Sequence, residues 1–217
     1  MTATALIEAT AVGTLPLRNE PVQARSTARL AALLDAAASV VAEIGYERLT
    51  TAMVAERAGA SIGTVYRYFP DRIAVLQALG ARNLERALTH VTEEISSDRH
   101  SNWAEALGAS YGSLVELVRS EPGFRSLRVG DVLDLHPASN ERTYNSIVAE
   151  AMYNGLVARF GIVDTAEARF AFEASLEISD ALAARAFARD PQGDEAFMVV
   201  GRDVTFSMLI PFFGSPA

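Results

Sequence analysis

Between residues 50 and 72 the chain gathers groups suited to holding a polar ligand. They are the hydroxyls of Thr50, Thr51, Ser61, Thr64, Tyr66 and Tyr68 and the guanidinium groups of Arg67 and Arg72. Gly63 lies among them, with no side chain to hold a ligand away from the backbone. Hydroxyls and guanidinium forks bind phosphate oxygens, and the fork also matches the paired acceptors on the edge of a guanine. Every one of the nineteen basic residues is arginine, and the net charge is −8. That charge is uneven: nine arginines meet seven acids from Arg18 to His90, whereas ten meet nineteen from Val91 to Ala217. An anionic partner is therefore expected on the N-terminal part.

Groups that could break bonds are arranged less suggestively. The absence of cysteine removes disulfides, thiolate metal sites and thiol nucleophiles. No HExxH, GxSxG, Walker or GxGxxG pattern occurs. The carboxylates Glu93-Glu94, Asp131, Asp134 and Glu177/Asp180 and the histidines His90, His100 and His136 form no recognised catalytic spacing. Asp131, Asp134 and His136 could approach a metal, but a loop histidine before proline reads as solvated. No enzyme, metal or cofactor is expected. Half of the residues are hydrophobic and a fifth charged, a globular composition. No apolar run reaches the roughly 20 residues of a membrane span, and no secretory leader is visible, so a cytoplasmic protein without a membrane partner is expected.

The elements that carry these groups are helical. Residues 1–24 hold Gly13, Pro16 and Pro21 without periodicity and read as a flexible arm. Leu30, Leu33, Leu34, Ala37, Val40, Val41 and Ile44 keep the three-four spacing of a helix over 27–44, ended by Gly45. Short helices are expected over 51–58, capped by Thr50 or Thr51, and 62–69, capped by Ser61, with Gly59 in the turn. Asp71 starts a longer helix over 72–95. Two short helices joined by a glycine turn after a first helix form a helix-turn-helix. Further helices are expected over 102–120, 124–136, 139–160, 164–190 and 194–211, with Asp164 and Glu167 as a capping box. The fold expected is all-α: a three-helix unit over 25–71, then a helical domain over 72–217.

The last two helices each carry two apolar stripes. One comprises Phe170, Ala174, Ile178 and Leu182 with Phe197, Val200, Val204 and Met208. The other comprises Phe172, Leu176, Ala183 and Phe187 with Met198, Thr205 and Leu209. Two stripes imply burial on both sides, most simply against a second copy of the chain. The second set is assigned to that homodimer interface. An apolar small-molecule pocket is expected in the same domain, lined by Trp103, Leu107, Tyr111, Phe124, Leu127, Tyr144, Met152 and Phe170. Glu173 and Glu177, among apolar neighbours, could hold a cationic effector.

The segment from Leu33 to Leu79 resembles the DNA-binding domain of TetR-family transcriptional regulators. The residues that carry the likeness are Ala36-Ala37, Gly45-Tyr46, Thr50-Thr51, Ala58-Gly59-Ala60-Ser61, Gly63 through Phe69, and Asp71-Arg72, with their spacing. Ile62, Tyr68 and Met53 depart from it, standing where a basic residue, a histidine and an acidic or polar residue are common.

The resemblance implies that 62–69 is a recognition helix entering the major groove of a double-stranded operator. Thr50, Thr51, Ser61, Gly63, Thr64, Tyr66, Arg67, Tyr68 and Arg72 would be the DNA-binding set, with Arg67 reading a base. Arg18, Arg25 and Arg29 could add contacts from the arm. It further implies a dimeric repressor on a palindromic operator, released by a small-molecule effector. An activator of the same fold and a helical enzyme are the alternatives.

Overall fold

The computed structural model describes residues 24–125 and 143–216, with side chains from Ser26 onward. The expected arm, the end of the 124–136 helix, Leu127, and Asp131, Asp134 and His136 lie outside the described residues. Among those described there are eight α-helices and no strand: α1 (Ala24–Ile44), α2 (Thr51–Arg57), α3 (Ile62–Tyr68), α4 (Arg72–Ser96), α5 (Trp103–Ser120), α6 (Tyr144–Phe160), α7 (Ala166–Arg189) and α8 (Glu195–Phe213). The all-α expectation holds.

The chain forms two compact units. One comprises residues 1–85 with 120–137, the other 86–119 with 138–217. The division falls inside α4, beyond the sequence boundary at Arg72. The reason is apolar: Ala74, Val75, Leu76, Ala78 and Leu79 of α4 join the core formed by Leu33, Ala37 and Val41 of α1 with Leu49, Val54, Val65 and Phe69. A helix whose first turns supply that core belongs to the unit it helps to close.

Local chemistry sets each boundary in the first unit. Thr50 caps α2, its side chain accepting from the Met53 amide at 3.2 Å. Ser61 caps α3, accepting from the Thr64 amide at 3.1 Å. Asp71 caps α4 by accepting from the Ala74 amide at 2.9 Å. After α2 the Gly59 amide donates to the Glu56 carbonyl and the Ala60 amide to the Ala55 carbonyl. This Schellman closure needs a left-handed residue, and Gly59 has φ 58°. Nothing lies within 4 Å of a Cβ placed on Gly59, so backbone conformation rather than space demands glycine there.

In the second unit α5 to α8 enclose an aromatic cluster. The Trp103 ring lies 5.7 Å from Phe206 and 5.2 Å from Phe213, and its indole Nε1 donates to the Gly214 carbonyl at 3.1 Å. Tyr153 and Phe172 complete the cluster, 5.7 Å apart. α7 and α8 approach closely at Gly201, whose carbonyl accepts from Ser179 Oγ, while Ser179 and Thr205 share a hydrogen bond of 2.6 Å. Thr165, rather than Asp164, caps α7, its side chain accepting from the Ala168 amide at 3.1 Å. Asp164 is engaged with Arg169 and Tyr153 instead.

Candidate nucleic-acid interface

Turn geometry brings the start of α2 beside α3. Thr51 Oγ1 lies 3.4 Å from the Tyr66 hydroxyl, a weak contact that nonetheless puts both on one surface. Thr50, Ser61, Gly63, Tyr66, Arg67 and Arg72 are exposed, and Thr51 and Thr64 half-buried. The Ser61 and Thr64 hydroxyls lie 2.9 Å apart, so part of their hydrogen-bonding capacity is spent on the cap. Among the described residues, Arg67 makes no hydrogen bond or ion pair; its guanidinium lies 6.0 Å from the Tyr68 ring centre. Arg72 donates to the Glu47 carbonyl at 2.8 Å, which pins the start of α4 to the turn before α2.

Tyr68 is a correction. It is only 5% exposed, packed in the α1–α4 core, and its hydroxyl pairs inward with Ser26 Oγ at 3.1 Å. Tyr66, by contrast, is 42% exposed. The same surface carries two apolar side chains left out of the binding set, Met53 and Ile62, both exposed. Their departure from the family pattern was the available signal. A further residue that sequence reasoning missed is Arg57, which grips Glu43 of α1 with two bonds of 2.7 Å and also donates to Ser39. The hydrogen bond from Arg57 holds the Glu43 carboxyl below its ordinary pKa. This clamp fixes α2 on α1 and keeps Arg57 occupied.

The expected pocket needs rebuilding. Trp103, Leu107, Tyr144 and Met152 are buried core, and Tyr111 is half-buried. Phe124 is buried in the first unit, where the neighbouring Gly123 lies against the Ala38 backbone of α1. Phe170 is 74% exposed. A cleft of about 510 Å³ lies instead between α6 and α7, lined by Thr143, Ser146, Ala149, Glu150, Tyr153, Arg169, Phe172, Glu173 and Glu177. Of the expected groups, only Glu173 and Glu177, singled out for a cation, border it. Arg169 lies 4.6 Å over the Tyr153 ring and donates to Asp164 at 2.6 Å and to Asn154 at 2.9 Å. The Arg169 bond holds the Asp164 carboxyl below its usual range, and burial raises the Tyr153 phenol.

The stripe assigned to a partner faces the chain's own core. Phe172, Leu176, Ala183, Phe187, Thr205 and Leu209 are already covered by their own chain, and Met198 is half-buried, so this set cannot supply the surface for a partner. The opposite stripe stays open, with Phe170, Ile178 at 40% and Val200 at 50% exposed. Val199, Ile210 and Phe212 of α8 are exposed as well. Among the described residues, α8 is the one helix long and apolar enough to cross a membrane by length and composition, and it is 22% buried.

A helix-turn-helix unit with an exposed polar second helix, joined to a helical unit with an open apolar face, defines the class of two-domain helical regulators. Residues 33–79 match the family described as bacterial regulatory proteins, tetR family, and residues 101–213 match the tetracyclin repressor-like C-terminal domain. The chain belongs to the TetR family. A TetR-family transcriptional regulator from Streptomyces coelicolor has a similar solved structure, with TM-score 0.70 and 30% identity over 85% of this chain and 99% of that one. The fatty acid degradation regulator FadR from Bacillus halodurans shares the fold, with TM-score 0.60 and 20% identity over 83% and 94%. Among curated relatives, the HTH-type transcriptional repressor KstR of Rhodococcus jostii is 43% identical over 25% of this chain. The nucleoid occlusion factor SlmA of Pasteurella multocida is 32% identical over 42%. The matched segments span 26% and 45% of those relatives.

Proposed function

We propose that the chain is a cytoplasmic, homodimeric, sequence-specific transcriptional repressor that leaves a palindromic operator when a small molecule binds its second unit. The observation that carries this is the exposed surface of α3. Gly63 leaves room at the helix start, Tyr66 is exposed, and Arg67 makes no hydrogen bond or ion pair among the described residues. Phosphate contacts from Thr50, Thr51, Ser61, Tyr66 and Arg72 would set the register, and Arg67 would read a guanine. The open stripe of α7 and α8 takes a second copy, which spaces two recognition helices about 34–36 Å apart on successive major grooves.

Release runs through α6. One side of that helix lines the cleft through Ser146, Ala149, Glu150 and Tyr153. Its other side holds the end of α4. A Cβ placed on Gly155 would stand 2.9 Å from Ile95 Cγ2, and Arg159 donates to the carbonyls of Ile95, Ser97 and His100. Because α4 begins in the first unit, an occupant that shifts α6 changes the helix on which the DNA-binding unit is built. The coupling is reciprocal, so operator DNA weakens effector binding by the same factor.

Selection from a random double-stranded library with the purified full chain tests the reading. A palindrome with two half-sites is expected; a folded dimer that enriches no sequence at low salt overturns it.

A further inference from the structure

We infer that Ile62 is a specificity-determining residue of the DNA-binding surface and that it reads the C5-methyl group of a thymine in the major groove. This deepens the reading of α3 as a recognition helix and rests on it. Among the described residues of the first unit, three large apolar side chains are exposed: Met53, Ile62 and Tyr66. All three stand on α2 or α3. Apolar residues scattered singly over a surface need no explanation, but these are confined to the two helices of the helix-turn-helix.

Folding does not call for isoleucine at position 62. The apolar positions that fix how a chain enters a helix are the residue before the cap and the fourth helical residue, here Ala60 and Val65. Val65 is fully buried, and Ala60 packs against the same core. The Ser61 cap closes on the Thr64 amide at 3.1 Å and does not involve the Ile62 side chain. Isoleucine is also a poorer helix former than alanine. What position 62 does offer is an apolar contact surface, 43% exposed.

The surroundings of Ile62 suit a methyl group. Tyr66 follows four residues on, so the two side chains are neighbours along one side of α3. The Tyr66 hydroxyl lies 3.4 Å from Thr51 Oγ1, which turns the polar end of that ring toward the start of α2. A Cβ placed on Gly63 would meet only Ser61 Oγ, at 3.8 Å, so the space next to Ile62 is open there. Ser61, Thr64 and Arg67 can all hydrogen-bond a base, whereas isoleucine cannot. Covering a donor or acceptor on a base edge with Ile62 would leave that group unpaired and costs binding. Thymine alone presents an apolar group in the major groove, its C5-methyl, and burying that methyl against Ile62 is favourable.

The test uses the full-length protein and the operator obtained from the random library. Each thymine of that duplex is replaced in turn by deoxyuridine, which keeps the base pair and removes only the methyl. One thymine in each half-site is expected to matter. Loss of its methyl should weaken binding about fourfold, and loss from both half-sites about sixteenfold, the worth of one buried methyl group at each. Ile62→Ala should keep the parent's helical circular dichroism and melting temperature. It should bind the thymine operator about as weakly as the parent binds the deoxyuridine one, with no further loss when the methyl is removed, the signature of two groups in contact. An operator whose affinity depends on no thymine methyl overturns the assignment. An Ile62→Ala protein that keeps the full deoxyuridine penalty also overturns it, because another residue of the surface then holds the methyl. Both results leave sequence-specific DNA binding intact, whereas a selection that enriches no sequence overturns that reading and the assignment together.

Discussion

Gly63→Ala separates what α3 needs for folding from what it needs for DNA. The glycine is the second residue of α3, after the Ser61 cap and Ile62, with ordinary helical backbone. A Cβ built there meets one atom within 4 Å, Ser61 Oγ at 3.8 Å, an ordinary van der Waals contact. The substitution therefore adds no strain, and replacing glycine by alanine in a helix gains about 0.5–1 kcal/mol. In the first turn the lower figure applies, which corresponds to a rise in melting temperature of roughly 1–2 °C for a chain of this size. The same methyl projects from the exposed surface that the proposal lays against a phosphate or a thymine methyl. An obstruction there should cost at least about 1.4 kcal/mol, a tenfold loss of operator affinity. Calorimetric melting and fluorescence-anisotropy titration on the selected operator read the two effects separately. A variant that melts higher and binds DNA as the parent does would refute the close approach at Gly63. One that melts lower would refute the packing argument.

Four further outcomes are expected. Tyr68→Phe should leave operator affinity unchanged while lowering stability by about 1 kcal/mol, because its hydroxyl is committed to Ser26; denaturant unfolding and DNA titration check both. Ile178→Asp should yield a folded monomer in sedimentation, weakening association by about 2 kcal/mol or more, whereas Leu176→Asp should fail to fold because that side chain is core. Gly155→Ala should crowd Ile95 and destabilise the second unit by about 1–3 kcal/mol, with a blunted effector response in the operator assay. Asp164→Asn should melt below the parent at neutral pH. Its partner Arg169 depresses the folded-state pKa of Asp164 below the unfolded value, so that stabilisation exists above the ordinary aspartate value of 3.8 and disappears as pH falls through the depressed one. The two melting curves should therefore converge in acid.

The first unit was legible because its signals are local. Caps at Thr50, Ser61 and Asp71, the glycine at 59, and the three-four spacing of α1 each act within a few residues and point the same way. Tyr68 escaped because its fate depends on Ser26, forty-two positions away. The α7 and α8 stripes were visible as two faces, but periodicity does not say which face meets the chain's own core. The Ser179–Thr205 hydrogen bond and the stacking of Phe172 on Phe213 decide it, and both join different helices. The pocket failed for a related reason. Large apolar residues at helical spacing fill a core as readily as they line a cavity, and here Trp103 is taken by Phe206, Phe213 and the Gly214 carbonyl.

The cleft is bordered by charged residues and by none of the expected aromatic ones. Tyr153, Asp164 and Arg169 are too far apart in sequence to suggest a cluster, yet the α6–α7 turn brings them together at one end of the cleft. This places an ion-paired network beside the side of α6 that lines the cleft. Gly155 and Arg159 follow within two turns and grip the end of α4. At about 3.6 residues per turn, Ser146, Ala149 and Tyr153 fall on one side of α6 and Gly155 and Arg159 on the other. A rigid helix held on both sides cannot yield to a ligand on one without moving what it holds on the other. The carbonyls that Arg159 holds are those at and just beyond the last turn of α4, where a cation complements the helix dipole. Loosening this grip by Arg159→Gln should therefore leave cleft binding intact and lower the coupling between ligand and operator. A variant that bound its effector and released DNA as the parent does would move the transmission path away from α6.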